Sequence, residues 1–319
     1  MDWFTSVTGF SELGYAETQA RLQVVDGRLI NEAGGSAHAV GELELVSLAE
    51  LRARATAARV PGQLTLDVIK SGIGRLHRAP ENANAVFQVA SQFNLLEMVD
   101  PDVTPEHGVT RYEYDPTQGP ACAIAAGAGT IWRNYLVPVG DGIGQTADRQ
   151  LDGLADLGVS LAHALGMGTT PLWQMRNGYA LPDADGLARI SAHLSSLTES
   201  ERDALRGRLR LGLHRDVGVT HPEALPDARV TQIYCSALPV AYSTIPDRQW
   251  AGFASLVLEA AYEATLLAGL LNAARGASRR VFLTRLGGGA FGNDATWIDS
   301  AIIRALRLCE HQGPDVFLV

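Results

Sequence analysis

Apolar and polar positions along this chain follow two periods, and each change of period marks an element. Short runs rich in β-branched and aromatic residues predict strands over 63–70, 84–94, 130–137, 209–220, 230–240, 281–286 and 315–319. Helical spacing predicts helices over 48–58, over much of 145–210, over 248–274 and from Asp294 to Leu306. A strand-like piece at 172–181 interrupts the second of these. Gly119-Pro120 opens a small-residue helix that runs to Ala126, and Gly127-Ala-Gly129 breaks it. The first 45 residues look β-rich, with a hairpin turn at Asp26-Gly27. Strand and helix alternate over the last ninety or so residues, the pattern of a parallel α/β sheet. No repeat or low-complexity linker divides the chain, so one integrated domain is expected.

The stretch 281–306 carries the most information. A buried strand leads into Gly287-Gly-Gly-Ala-Phe-Gly-Asn293, four glycines in six residues, and then into a helix capped by Asn293 or Asp294. Such a loop bares its backbone N–H groups beside the positive end of a helix, which suits phosphate. A tight turn would also use glycine, but three in a row exceed what one turn needs. Phe291, inside the loop, has little to pack on except a ligand ring or the loop's own base.

Composition narrows the function classes. The 319 residues are 46% apolar, with mean hydropathy near zero, as in ordinary globular chains. The net charge of −9 argues against nucleic-acid binding, which needs a basic face. Lys70 is the sole lysine among many arginines, a bias that GC-rich codon usage produces. Cys122, Cys235 and Cys309 lie far apart without a C-x-x-C pair, so a reduced, cytoplasmic setting is expected. The N-terminus has no signal-peptide pattern, and Glu259 and Glu263 interrupt the most apolar run, so no membrane partner is expected.

Ligands of open α/β sheets bind beyond the carboxyl ends of the strands. Three such ends share a character here: Phe93-Asn94, Ser236-Ala-Leu-Pro239 and the 287–293 loop. Gly127-Ala-Gly129 offers a second backbone-lined loop, and two glycine loops suggest a diphosphate held from both sides.

That combination resembles the macrodomain superfamily. The carriers are Phe87-Gln-Val-Ala-Ser-Gln-Phe-Asn94, Thr130-Ile-Trp-Arg-Asn-Tyr135, Tyr234-Cys-Ser-Ala237, Tyr262-Glu-Ala-Thr265 and Gly287-Gly-Gly-Ala-Phe-Gly-Asn293. More closely, the chain resembles divergent macrodomain ADP-ribosyl hydrolases, a group that includes a Legionella effector acting on ADP-ribosylated ubiquitin. The resemblance covers most of 60–319. Where ordinary macrodomains have Ala-Asn at the end of an early strand, this chain has Phe93-Asn94.

The resemblance implies a three-layer α/β/α fold with a mixed, mostly parallel sheet over 61–319. Residues 1–60 would form a β-rich extension and a helix packed on it. It implies ADP-ribose as ligand, an ADP-ribosylated protein as partner and no further cofactor. Arginine is one candidate linkage. By the same likeness, Asn94 would bond the distal ribose, with Phe93 beside it. Gly287, Gly288 and Gly289, continuing through Ala290, Gly292 and Asn293, would clamp the diphosphate together with Gly127 and Gly129. Phe291 would pack on the distal ribose. Ile73 sits where the family's first loop meets adenine, although the acid expected before it is Gly72.

Cleaving the bond at ribose C1″ passes through an oxocarbenium-like state. It needs an acid for the leaving group and a carboxylate to orient water. Glu97, Asp247 and Asp294 are the candidates at strand ends. Each has a plain alternative: Asp294 and Asp247 as helix caps, Glu97 as a solvated loop carboxylate.

The histidines show no zinc spacing, Ser236 lies outside a G-x-S-x-G elbow, and no Walker lysine follows a glycine loop. A nicotinamide-dependent dehydrogenase would need a third glycine after Ser71-Gly-Ile-Gly74. An ADP-ribose reader without catalysis is the nearest rival, and a purely structural role is the third.

Overall fold

The computed structural model describes residues 1–34, 37–58, 60–168 and 170–319. It opens with two short helices, α1 (Trp3–Thr8) and α2 (Tyr15–Arg21), where the sequence suggests strands. Asp2 caps α1 through Thr5 N–H, and Gly9 ends it in the left-handed conformation. Then come β1 (Val24–Val25), β2 (Arg28–Leu29) and β3 (His38–Ala39), a small antiparallel sheet. Asp26 and Gly27, both at positive φ, make the expected hairpin turn.

The main body follows as β4 (Glu42–Ser47), α3 (Leu48–Ala57), β5 (Thr65–Val68), α4 (Ile73–Arg78), β6 (Val86–Ala90), α5 (Gln118–Ala125) and α6 (Gly127–Tyr135). A small ribbon, β7 (Pro138–Val139) with β8 (Gly142–Ile143), leads to α7 (Ala155–Ala164). A second ribbon, β9 (Gln174–Arg176) with β10 (Tyr179–Leu181), leads to α8 (Ala184–Ser196) and α9 (Glu199–Arg206). The chain ends with β11 (Arg210–Gly218), β12 (Arg229–Cys235), α10 (Asp247–Ala274), β13 (Arg280–Leu283), α11 (Ala295–Leu308) and β14 (Asp315–Leu318).

Seven strands form one mixed sheet in the order β4-β11-β12-β6-β13-β14-β5. The run β12-β6-β13-β14-β5 is parallel, and β11 is antiparallel to both its neighbours. This is the α/β fold expected from the alternation of periods. Because β4 belongs to this sheet, the extension outside it is limited to residues 1–39.

Alternate residues of β6 face opposite layers. Val86 joins the core shared with α3, α8, α10 and α11, whereas Phe87 and Val89 pack with Ile73, Cys122 and Ala126 of the α4–α5 side. The central helix α10 has the length and apolarity to cross a membrane, but 83% of its most apolar stretch is buried inside the protein. Glu263, which interrupts that stretch, is buried between two arginines. It accepts from Arg52 Nη2 of α3 at 2.9 Å and from Arg304 Nη1 of α11 at 2.6 Å. Pairing of this kind is what makes a buried carboxylate tolerable in an apolar helix.

One prediction is overturned with consequences for the site. The stretch 130–137, expected as a strand, lies largely within helix α6. Ala128, Ile131 and Tyr135, at helical spacing, are all wholly buried, and this tertiary packing outweighs the strand preference of its β-branched and aromatic residues.

Candidate functional site

β6, β12 and β13 are neighbours, and their carboxyl ends open onto one cleft of about 290 Å³. The opening has a local cause. β6 and β13 pair only at Val86–Val281 and Phe87–Phe282. Beyond that point the Gln118 side chain takes over the unpaired edge of β6, donating to Gln88 O at 2.8 Å and accepting from Ala90 N–H at 3.0 Å. The Gln88 side chain reaches across to accept from Thr284 N–H at 3.2 Å. Two side-chain amides thus replace the ladder, and the strands part above them.

One wall is the glycine loop. Its shape is fixed from within: Gly288 N–H donates to Arg285 O, Gly292 N–H to Gly289 O, and Asn293 N–H to Gly287 O. Gly287 and Gly292 hold positive φ, which explains two of the four glycines. Asn293 is buried and clips the loop to Leu238 O at 2.8 Å, while Tyr262 Oη accepts from Leu286 N–H at 2.8 Å. The N–H groups of Gly287, Gly289, Ala290 and Phe291 have no acceptor among the described residues. Gly287, Gly289, Ala290 and Phe291 all line the cleft, and Gly288 is exposed in the same loop. A run of unspent donors at a loop of this shape favours an anion.

Phe291 packs on Tyr179 and Tyr242, with ring centroids 5.3 and 5.7 Å away. The sequence suggests a ligand ring or the loop base as its partner. Two tyrosines serve instead, and the three rings form an aromatic end wall.

The opposite wall is the start of α5, with Asp115, Thr117, Gln118, Gly119 and Pro120 lining the cleft. Asp115 Oδ1 accepts from Thr117 N–H at 2.9 Å. Between the walls sits Glu97. A tight turn after β6 delivers it: Leu95 takes positive φ, and Asn94 Oδ1 accepts from Leu96 N–H at 3.1 Å. Glu97 N–H then donates to Tyr112 Oη at 3.0 Å. Glu97 is buried, and its Oε1 has no hydrogen-bond partner among the described residues. Burial raises its carboxyl well above the usual range, opposed chiefly by the Arg133 guanidinium and reinforced by Asp115. This favours the protonated acid.

The structure therefore brings Glu97 together with Gly287, Gly289, Ala290 and Phe291 and leaves other expected residues elsewhere. Asn94 is wholly buried, its Nδ2 donating to Gln150 Oε1 at 2.9 Å, and it shapes the turn instead of meeting a ribose. Phe93 lies in the core beside it, its N–H donating to Gly178 O. Gly127 and Gly129 belong to α6, packed against Trp3 and Val217, and form no phosphate loop. Ile73 is buried at the start of α4, outside the residues lining the cleft. Asp294 is the exposed cap of α11, accepting from Thr296 N–H at 2.7 Å, and Asp247 is exposed at the start of α10. Neither carboxylate lines the cleft.

Sequence reasoning misses Gln92, Asp115, Gly119, Tyr179 and Tyr242. Only Gly119 carries a signal, as a glycine beside proline at a helix start. A Cβ there would press into Ala90 O and Glu97 Oε2.

Compared with family models, curated proteins and solved structures, the chain finds no match in any of the three.

Proposed function

We propose that this chain is an ADP-ribosyl hydrolase that binds ADP-ribose in the cleft and releases it from modified protein side chains. The observation that carries the reading is a buried carboxyl with an unpartnered oxygen, set in the same cleft as a row of free backbone N–H groups. Glycine-loop amides suit a pyrophosphate, and aromatic rings beside them suit a sugar or base face. A buried carboxyl kept protonated can give its proton to a departing side-chain group as the C1″ bond breaks. In this reading Glu97 is that acid. Asp115, on the facing wall, is the carboxylate that orients water, taking the part that Asp247 and Asp294 are too far out to play.

The test is a calorimetric titration with ADP-ribose, repeated on Gly289→Glu. Gly289 lines the cleft, and a Cβ added there would meet no atom within 4 Å, so a glutamate fits without strain. Its carboxylate should repel the pyrophosphate and weaken binding by at least about tenfold, a modest charge effect at short range. Absent binding by the wild type, or unchanged affinity in the variant, would overturn the assignment. Binding without release of ADP-ribose from a modified protein would leave the reader.

A further inference from the structure

Arg133 of α6 is wholly buried, yet no carboxylate pairs with it among the described residues. Its Nε donates to Leu95 O at 2.6 Å, and its guanidinium lies 3.8 Å over the Tyr234 ring. His214 offers no negative charge. Its Nε2 donates to Val40 O at 2.6 Å, leaving Nδ1 to accept from Arg133 Nη1 at 3.4 Å. Burial and the neighbouring Arg133 hold that imidazole down at about 3, so it stays neutral. A cation taken out of water without a counter-ion costs several kcal/mol, so its place in the fold calls for a function.

The groups facing Glu97 narrow that function. Tyr112, Cys122 of α5, Tyr179 of β10 and Tyr234 of β12 all feel its charge, and burial raises each of them, so all are neutral. Among the described residues, the charged groups that act on Glu97 are Asp115 before α5 and Arg133, while Arg285 of the same cleft is paired with Asp299. Arg133 also grips the carbonyl of Leu95, the positive-φ residue two places before Glu97. One side chain therefore holds the turn and opposes the burial of the carboxyl with its positive charge.

We propose that Arg133 is a positioning residue for Glu97: its uncompensated guanidinium fixes the turn that presents the carboxyl and stabilises the carboxylate left once the proton has gone. The proton passes from Glu97 to the leaving atom of the substrate, and Glu97 is left anionic within the field of Arg133. This rests on the reading of Glu97 as the acid, but it can be tested without substrate.

The experiment is a pH titration of the protein labelled with ¹³C at glutamate Cδ, with the Glu97 signal identified by its loss in Glu97→Gln. Arg133→Gln and Arg133→Met should each move the Glu97 midpoint upward by about one pH unit or more, the usual effect of losing a close opposite charge. Arg133→Lys, which keeps the charge, should hold it near the wild-type value. An unmoved midpoint in a folded charge-free variant overturns the proposal. If neither charge-free variant folds, Arg133→Lys decides: a midpoint held near the wild-type value supports the proposal, and one displaced upward overturns it. Should ADP-ribose fail to bind at all, the functional reading falls while the titration still decides the role of Arg133.

Discussion

Glu97→Gln should lower release of ADP-ribose from a modified protein by about 10²–10⁴-fold, the range for loss of a positioned acid. The amide keeps the shape of the side chain but cannot give up a proton to a leaving group. Affinity for free ADP-ribose, read by calorimetry, should change little, because the amides of 287–291 are untouched. Retained turnover would remove Glu97 from the chemistry. The same substitution has a signature in stability. The Glu97 carboxyl is raised in the folded protein, so its proton is bound more tightly there than in the unfolded chain. The stability it contributes is complete below its unfolded value and is lost as pH rises through the folded one. In urea unfolding at rising pH the wild type should therefore lose ground to Glu97→Gln.

Gly119→Ala is expected to damage both fold and site. The added methyl would press on the carbonyl oxygen of Ala90, which belongs to the sheet, and on Glu97 Oε2. A backbone atom cannot turn away as a side chain can, so α5 must shift. Overpacking of this kind costs roughly 1–3 kcal/mol. The shift would also separate Gln118 from Gln88 O and Ala90 N–H. Urea unfolding should show lost stability, and the folded fraction should have lost most of its activity. A variant with wild-type stability and turnover would mean that the α5 wall plays no part.

What the sequence reveals follows from how local each signal is. The helices α10 and α11 are legible because their apolar periods run over several turns, and the strands β6, β12, β13 and β14 because each is a compact apolar run rich in β-branched or aromatic residues. The 287–293 loop is legible because glycine clusters have few other uses. The hairpin β9–β10 is harder to see, although Asn177-Gly178, both at positive φ, mark its turn. Gly127 and Gly129 mislead because glycine permits two things, a bare loop or the close packing of a helix. Here Trp3 and Val217 press against them. Asn94 misleads because the end of a strand does not reveal which way a side chain turns. Asp115 and Tyr242 come from segments distant in the chain that only the folded sheet brings together, and no short-range pattern records that.

The parting of β6 from β13 has a mechanical consequence. Past Phe87 and Phe282 the strands are joined by the Gln88 side chain alone, which accepts from Thr284 N–H, a soft link worth about 1 kcal/mol, while Gln118 bonds only to the β6 edge. The two halves of the sheet can therefore splay at their upper rim without disturbing the cooperative pairing below. A bulky guest is accommodated by stretching a single amide tether, and the foundation of the fold stays still.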